Sequence, residues 1–304
     1  MTPTLRCLGV LRELQNSPNR ESDDALILKA VVDQLEVMGV RAFAATPEEF
    51  DAVDVEPHEV LLPMCESYPR LKRLLALEAE HRVRFINPPS AVLNCYRTNM
   101  VPLLSECEGL RFPASELRRV EDGAGRPPAG FEAPEGWWIK RGDVHNTCDH
   151  DVIRVRAWSE LERVLADFRG REITHFVAQP HIDGDLIKFY AVGPGRWFTW
   201  FYHDATRARR IPFELDDLAS AAAAGAHALG LEVFGGDAIV SPGGLITLID
   251  LNSWPSFARV RAEAAVQIAW HVRSAALRHQ RNHSAPRGGR VAGGQLTRPP
   301  AGGE

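Results

Sequence analysis

The stretch "LITLIDLNSWPSF", residues 245–257, constrains this chain more than any other. Its opening residues suit a buried strand. The strand then ends on Asp250 and Asn252, one residue apart. Residues two apart on a strand face the same way, so the acid and the amide project together. A carboxylate at the end of an apolar strand is costly unless it is partnered. Asp250 therefore calls for an arginine, a set of backbone amides or a metal. An earlier stretch, "EVFGGDAIV", carries Asp237, and the intervening "SPGG" makes the two strands a hairpin pair. Asp237, Asp250 and Asn252 then offer three oxygen donors at close range. That set suits a hard cation such as magnesium, with phosphate completing the shell. The competing reading is a turn acid at 237 and a strand-end cap at 250–252.

The rest of the chain says what this hairpin belongs to. Residues 5–14 read as a strand. "SDDALILKAVVDQLEVMG" follows as a helix with Ser22 as its cap and Leu28, Val31, Val32, Leu35 and Met38 as its apolar stripe. "VRAFAA", "EVLLPM" and "RFINPP" are further strands, with a helix near residues 69–80. Alternation of strand and helix predicts a parallel sheet flanked by helices over residues 1–90. A helix is expected at 97–106, and a Gly/Pro-rich loop at 121–136 leads into the strand "WWIKR". Strands at 152–156 and 175–180, with a helix at 159–169, complete a unit assigned to residues 91–180. A long strand from 185 turns at "GPGR" into "WFTWFYH", which implies antiparallel sheet. Helices at 214–229 and 260–277 bracket the Asp237–Asp250 hairpin in a unit assigned to residues 181–279. Residues 280–304 are rich in glycine and proline and read as a disordered tail.

Composition narrows the function. A net charge of −5 argues against a general nucleic-acid binder. No apolar run is long enough to span a membrane. Five scattered cysteines without a C-x-x-C pair suggest reduced thiols and a cytoplasmic setting. His145, Cys148 and His150 share one loop but lack a fourth ligand at zinc spacing.

Two lysines stand out. Lys140 ends an apolar strand at the base of a polar loop, where it can hold phosphate while the loop closes. It could equally snorkel from a hairpin end. Lys188 lies mid-strand between Ile187 and Phe189, a place that demands an anion. Between them, Gln179, Pro180, His181 and Ile182 form a segment that the proline keeps from pairing fully. Its free backbone groups can read an adenine edge, and Asp183 or Asp185 can take ribose hydroxyls.

The ordered set of a lysine strand, "AQPHIDGDLIKFYAVG" and "FGGDAIV…LIDLNSWPSF" resembles the ATP-grasp superfamily over roughly residues 87–273. "INPPSAVLNCYRTNM" resembles the segment leading into that fold. Details are similar to two branches, the inositol trisphosphate kinases and the ribosomal-protein glutamate ligases. "NSPNRESDDA" resembles a bacterial branch of the same superfamily. The resemblance implies an α/β and α+β chain: an N-terminal parallel unit, then two α+β lobes sandwiching ATP. It implies phosphate contacts from Lys140 and from Arg97, where many relatives keep a lysine. It also implies adenine against 179–182, and Mg²⁺ (or Mn²⁺) on Asp237, Asp250 and Asn252. His145 follows the lysine as in the kinase branch.

Two reactions follow from such a site. Transfer to a carboxylate gives an acylphosphate that an amine attacks, making a ligase. Transfer to a hydroxyl makes a small-molecule kinase. A ligase needs a cation near the developing oxyanion, and Arg207, Arg209 and Arg210 in "HDATRARR" are the candidates. The mixed charge of "LRELQNSPNRESDDA" does not suit an inositol polyphosphate, which favours the ligase. A catalytically dead nucleotide-binding module is the third reading, and the intact donor set speaks against it. The expected partner is a small molecule or peptide, with self-association left open.

Overall fold

The protein is described here by a computed structural model covering residues 5–14, 21–55, 60–81, 83–130, 133–144 and 148–284. Three four-stranded sheets organise it. The first contains β1 (Arg6–Val10), β2 (Arg41–Ala45), β3 (Val60–Pro63) and β4 (Arg84–Phe85). All are parallel, in the order β2-β1-β3-β4. Helices α1 (Glu21–Val37), α2 (Pro47–Asp51) and α3 (Tyr68–Ala79) supply the crossovers. The apolar stripe of α1 packs as its spacing predicts, with Leu28, Val31, Val32 and Leu35 buried and Met38 partly so. The short α2 comes as a surprise from sequence. Its capping box, in which Thr46 and Glu49 bond each other's backbone amides, accounts for it.

Helices α4 (Pro89–Asn94) and α5 (Arg97–Ser105) carry the chain to the second sheet. That sheet is antiparallel, in the order β5-β8-β6-β7, from β5 (Glu116–Arg119), β6 (Trp137–Arg141), β7 (Val152–Val155) and β8 (His175–Pro180). Helix α6 (Leu161–Gly170) covers it through Leu161, Val164, Leu165 and Phe168. The third sheet, β10-β9-β11-β12, is also antiparallel. It is built from β9 (Asp185–Val192), β10 (Trp197–Tyr202), β11 (Val233–Ser241) and β12 (Leu245–Ser253). Helix α7 (Leu215–Leu229) packs on its core face, leaving the other face to line clefts.

Helix α8 (Arg261–Ser284) returns to lie against α1, so one core joins the end of the chain to its beginning. This corrects the expected tail. Residues 280–284 continue the helix, and Arg281 bonds the Leu277 carbonyl one turn back. Helix-breaking proline comes only at Pro286, and the average over 280–304 had blurred the two stretches. Residues 285–304 lie outside the described residues. All five cysteines are free thiols. Among the described residues, no helix is long and apolar enough to cross a membrane.

Candidate active site

The third sheet sets out its polar residues in rows. Phe201 of β10 stands opposite Lys188 of β9, Lys188 opposite Asp237 of β11, and Asp237 opposite Asp250 of β12. The next row on the same face is Thr199, Tyr190, Gly235 and Asn252. A bulge makes this possible. Asp237 pairs with Asp250 but Ala238 pairs with Leu248, so Ile249 is an extra residue. Leu248 and Leu251 can then both face the core, although three positions separate them. The bulge also frees the Ile249 carbonyl, which accepts from Lys140 Nζ at 3.3 Å. That bond crosses from the second sheet to the third.

Cations and carboxylates are already matched here. Lys188 Nζ donates to both Asp237 oxygens at 2.8 and 3.0 Å. Arg97 Nη2 donates to Asp250 Oδ2 at 2.8 Å, and Arg97 Nη1 to the Arg141 carbonyl at 3.0 Å. Lys140 is buried behind them. Burial first, and then Arg97, push its ammonium down to about 8, against the pull of Asp250 and Asp237. Asn252 Oδ1 is buried without a hydrogen-bond partner. Leaving such an acceptor unsatisfied costs about 1–3 kcal/mol, so a missing donor or cation is the natural explanation. Among the described residues, no group of three or more His, Cys, Asp or Glu is placed for a metal. Asp237, Asp250 and the unpartnered Asn252 Oδ1 are oxygen donors of the kind a hard cation takes.

Two clefts meet at this row. The first, about 300 Å³, is bounded by Trp138, Val152, Ile182, Leu186 and Ile239 and ends on Arg97, Lys140, Asp237 and Asp250. The second, about 400 Å³, is lined by Arg12, Lys188, Tyr190, Phe201, Asn252 and Arg259 among others, and it shares Asp237 with the first.

No family model and no curated protein matches the sequence. Solved structures do match. The D-alanine-D-alanine ligase from Coxiella burnetii aligns with a TM-score of 0.67 at 11% identity, over 93% of this chain and 98% of that one. The Bacillus anthracis enzyme of the same name, complexed with ATP, gives 0.65 at 13%, over 92% and 100%. The ATP-grasp ligase PsnB, complexed with precursor peptide PsnA2 and AMPPNP, gives 0.58 at 14%, over 91% and 99%. The chain has the ATP-grasp fold.

On this ATP-grasp frame the residues singled out from sequence divide into two groups. Arg97, Lys140, Gln179, Pro180, His181, Ile182, Asp237 and Asp250 line the first cleft. Lys188 and Asn252 line the second. The 179–182 segment is more fully paired than its proline suggests. Gln179 and Pro180 stay in register with β6, the Gln179 side chain bonds Ser115 Oγ at 2.7 Å, and the His181 amide donates to Gly136. Among the described residues, only the Ile182 amide of this segment is left without a backbone acceptor. His181 Nδ1 accepts from Trp138 Nε1 at 3.0 Å, which assigns the proton to Nε2. Burial, and next Arg154, hold the His181 imidazole below its ordinary value.

Other expected residues do not reach either cleft. Asp185 is buried, and its two oxygens accept from the amides of Arg209 and Ile211 at 2.7 and 2.8 Å. It shapes the loop after β10 and lines neither cleft. Arg209 forms a bidentate pair with Asp183, at 2.9 and 3.0 Å, which engages that acid too. Arg207 is largely exposed beside Asp204, and Arg210 is exposed with φ of 57°. None of the three arginines is brought to the Asp237 row. His145 lies outside the described residues.

Sequence reasoning passed over Arg12 and Arg259. Arg12 follows the carboxyl end of β1, where open α/β sheets bind ligands, and that position was an available signal. Arg259 had none, because only the fold carries the segment after "NSWPSF" back over β10.

Proposed function

We propose that this chain is an ATP-dependent ligase that activates a carboxylate as an acylphosphate and passes it to an amine. The carrying observation is that the two clefts share Asp237, so the charged end of a nucleotide-sized slot adjoins a second polar cavity. The neighbours named above are ligases, one solved with ATP and one with a peptide and AMPPNP. This supports transfer to a carboxylate over transfer to a hydroxyl, on a small-molecule or peptide substrate. Free thiols and a need for ATP suit a cytoplasmic setting.

In this reading adenine lies between Trp138 and Val152 on one side and Leu186 and Ile239 on the other, with the Ile182 amide donating to its edge. Lys140, Arg97 and Lys188 hold the phosphates, the latter two exchanging carboxylate partners for phosphate oxygens. Asp237, Asp250 and Asn252 would hold Mg²⁺, which when bound supplies charge neutralisation at the transferring phosphoryl group. The acceptor's carboxylate oxygen attacks the γ-phosphorus. The bond to the β–γ bridging oxygen breaks, and ADP leaves with the electron pair. The amine then attacks the acyl carbon and phosphate departs. Low dielectric in the buried slot strengthens the contacts that Lys140 and Arg97 make as charge moves.

The test is chemical trapping. With ATP, Mg²⁺, a panel of carboxylic acids and hydroxylamine, the protein should release ADP and form a hydroxamate. Release of ADP with a stable phosphate ester and no hydroxamate would replace the ligase with a kinase. Asp250→Asn removes a charge at almost constant volume and should abolish turnover without altering the fold.

A further inference from the structure

The second cleft contains a cation that, among the described residues, no carboxylate answers. Arg259 lies with its guanidinium carbon 4.2 Å from the centre of the Phe201 ring. It lines the cleft, is exposed, and has no ion-pair partner among the described residues. The other cations of the cleft are engaged. Arg12 donates to the Ser253 and Trp254 carbonyls at 3.2 and 2.8 Å and pairs with Asp24 at 3.3 Å. Lys188 holds Asp237. Stacking occupies the face of a guanidinium and not its N–H groups, which radiate in its plane. Phe201 therefore fixes the Arg259 fork and leaves its donors free.

We propose that the acceptor carries a second anionic group, remote from the carboxylate that becomes phosphorylated, and that Arg259 binds it. This rests on the ligase reading above. The reacting carboxylate has to approach Asp237, in the wall common to both clefts. Arg259 covers Phe201, which stands in the same row two strands away. Strands lie about 4.8 Å apart, so the two ends are separated by about 10 Å at the backbone, less the reach of side chains from each end. An acid with two charged ends and a few carbons between them spans that interval. Lys188 stands between Phe201 and Asp237 in that row, and the Tyr190 and Phe201 rings line the same cleft beside it. A monocarboxylate bound for reaction would leave the Arg259 fork unmatched.

Calorimetric titration tests this. The protein is first titrated with AMPPNP and Mg²⁺, then with glutarate, adipate and 4-phosphonobutyrate, and with butyrate and hexanoate as singly charged counterparts. The dianions should bind at least about tenfold more tightly than the monoanions, as expected for a charge-assisted forked contact. The carboxylate and phosphonate arms identify which anion the fork takes. Arg259→Gln should erase the preference while AMPPNP binds as before, and Arg259→Lys should retain part of it. Equal binding of both series, binding of neither, or an undiminished preference in Arg259→Gln would overturn the proposal. Failure of AMPPNP to bind would count against the nucleotide reading separately, and the acid series without nucleotide would still decide the role of Arg259.

Discussion

At the scale of single residues, Lys140 is the most informative. Burial, and then Arg97, bring its ammonium down to about 8. A triphosphate beside it would favour the charged form and raise that value. Between about pH 8 and the raised value, nucleotide binding must then take a proton from solvent. Affinity should be flat below pH 8 and fall as the pH rises through it. Titration of AMPPNP at pH 8.5 in buffers of differing ionisation heat should show this uptake, and Lys140→Met should abolish it. No buffer dependence in the wild type would mean that Lys140 does not meet phosphate. Asp237, Asp250, Asn252 and Lys140 were legible in the sequence because each is a polar residue where the apolar pattern of a strand demands a reason. Arg12 and Arg259 were not, because an arginine in a polar segment satisfies every local rule. Arg207, Arg209 and Arg210 looked like a site for the converse reason. Their clustering was visible, but the pairing of Arg207 with Asp204 and of Arg209 with Asp183 was not.

At the scale of elements, the β11–β12 hairpin shows how a strand can satisfy a core and a site together. Its sequence shifts phase, with Ile246 and Leu248 inward and then Leu251 and Ser253 inward. That break is the mark of the bulge, and an unbroken alternation cannot produce it. Gly236 lies beside the bulge. A Cβ there would come within 2.4 Å of the Asp250 carbonyl and 2.6 Å of Phe189 Cζ. Gly236→Ala should therefore lower stability by about 1–3 kcal/mol, the usual range for overpacking. Because the displaced backbone belongs to Asp250, turnover should fall by more than the folded fraction does. Chemical denaturation beside an ADP-release assay checks both, and loss of activity in proportion to unfolding would argue against the coupling. The strands and long helices could be read from periodicity. β5 could not, because "ELRR" gains its strand character from pairing with β8 and not from any apolar face.

At the scale of the whole molecule, the N-terminal sheet is bound to the β11–β12 hairpin by buried polar contacts. Asn87 accepts from the Glu232 and Val233 amides and donates to the Val233 carbonyl and Ser253 Oγ, at 2.6 to 2.8 Å. Trp254, fully buried, donates to the Ile86 carbonyl at 2.9 Å. Helices α1 and α8 close the same core. A chain lacking residues 1–90 would expose Trp254 together with Ile268, Ala269 and Val272 of α8. It should lose its sharp thermal transition and bind a hydrophobic dye. A cooperative transition with an intact near-ultraviolet spectrum would show that the remainder stands alone. The matched charges of the cleft have a last consequence. Free phosphate would find Arg97 and Lys188 engaged by acids, and a free divalent ion would find Asp237 and Asp250 engaged by bases. Only a ligand that arrives with both signs can trade with both sets in one event. If the proposed reading holds, the resting site would act as a coincidence gate, favouring the metal–triphosphate pair over either half by itself.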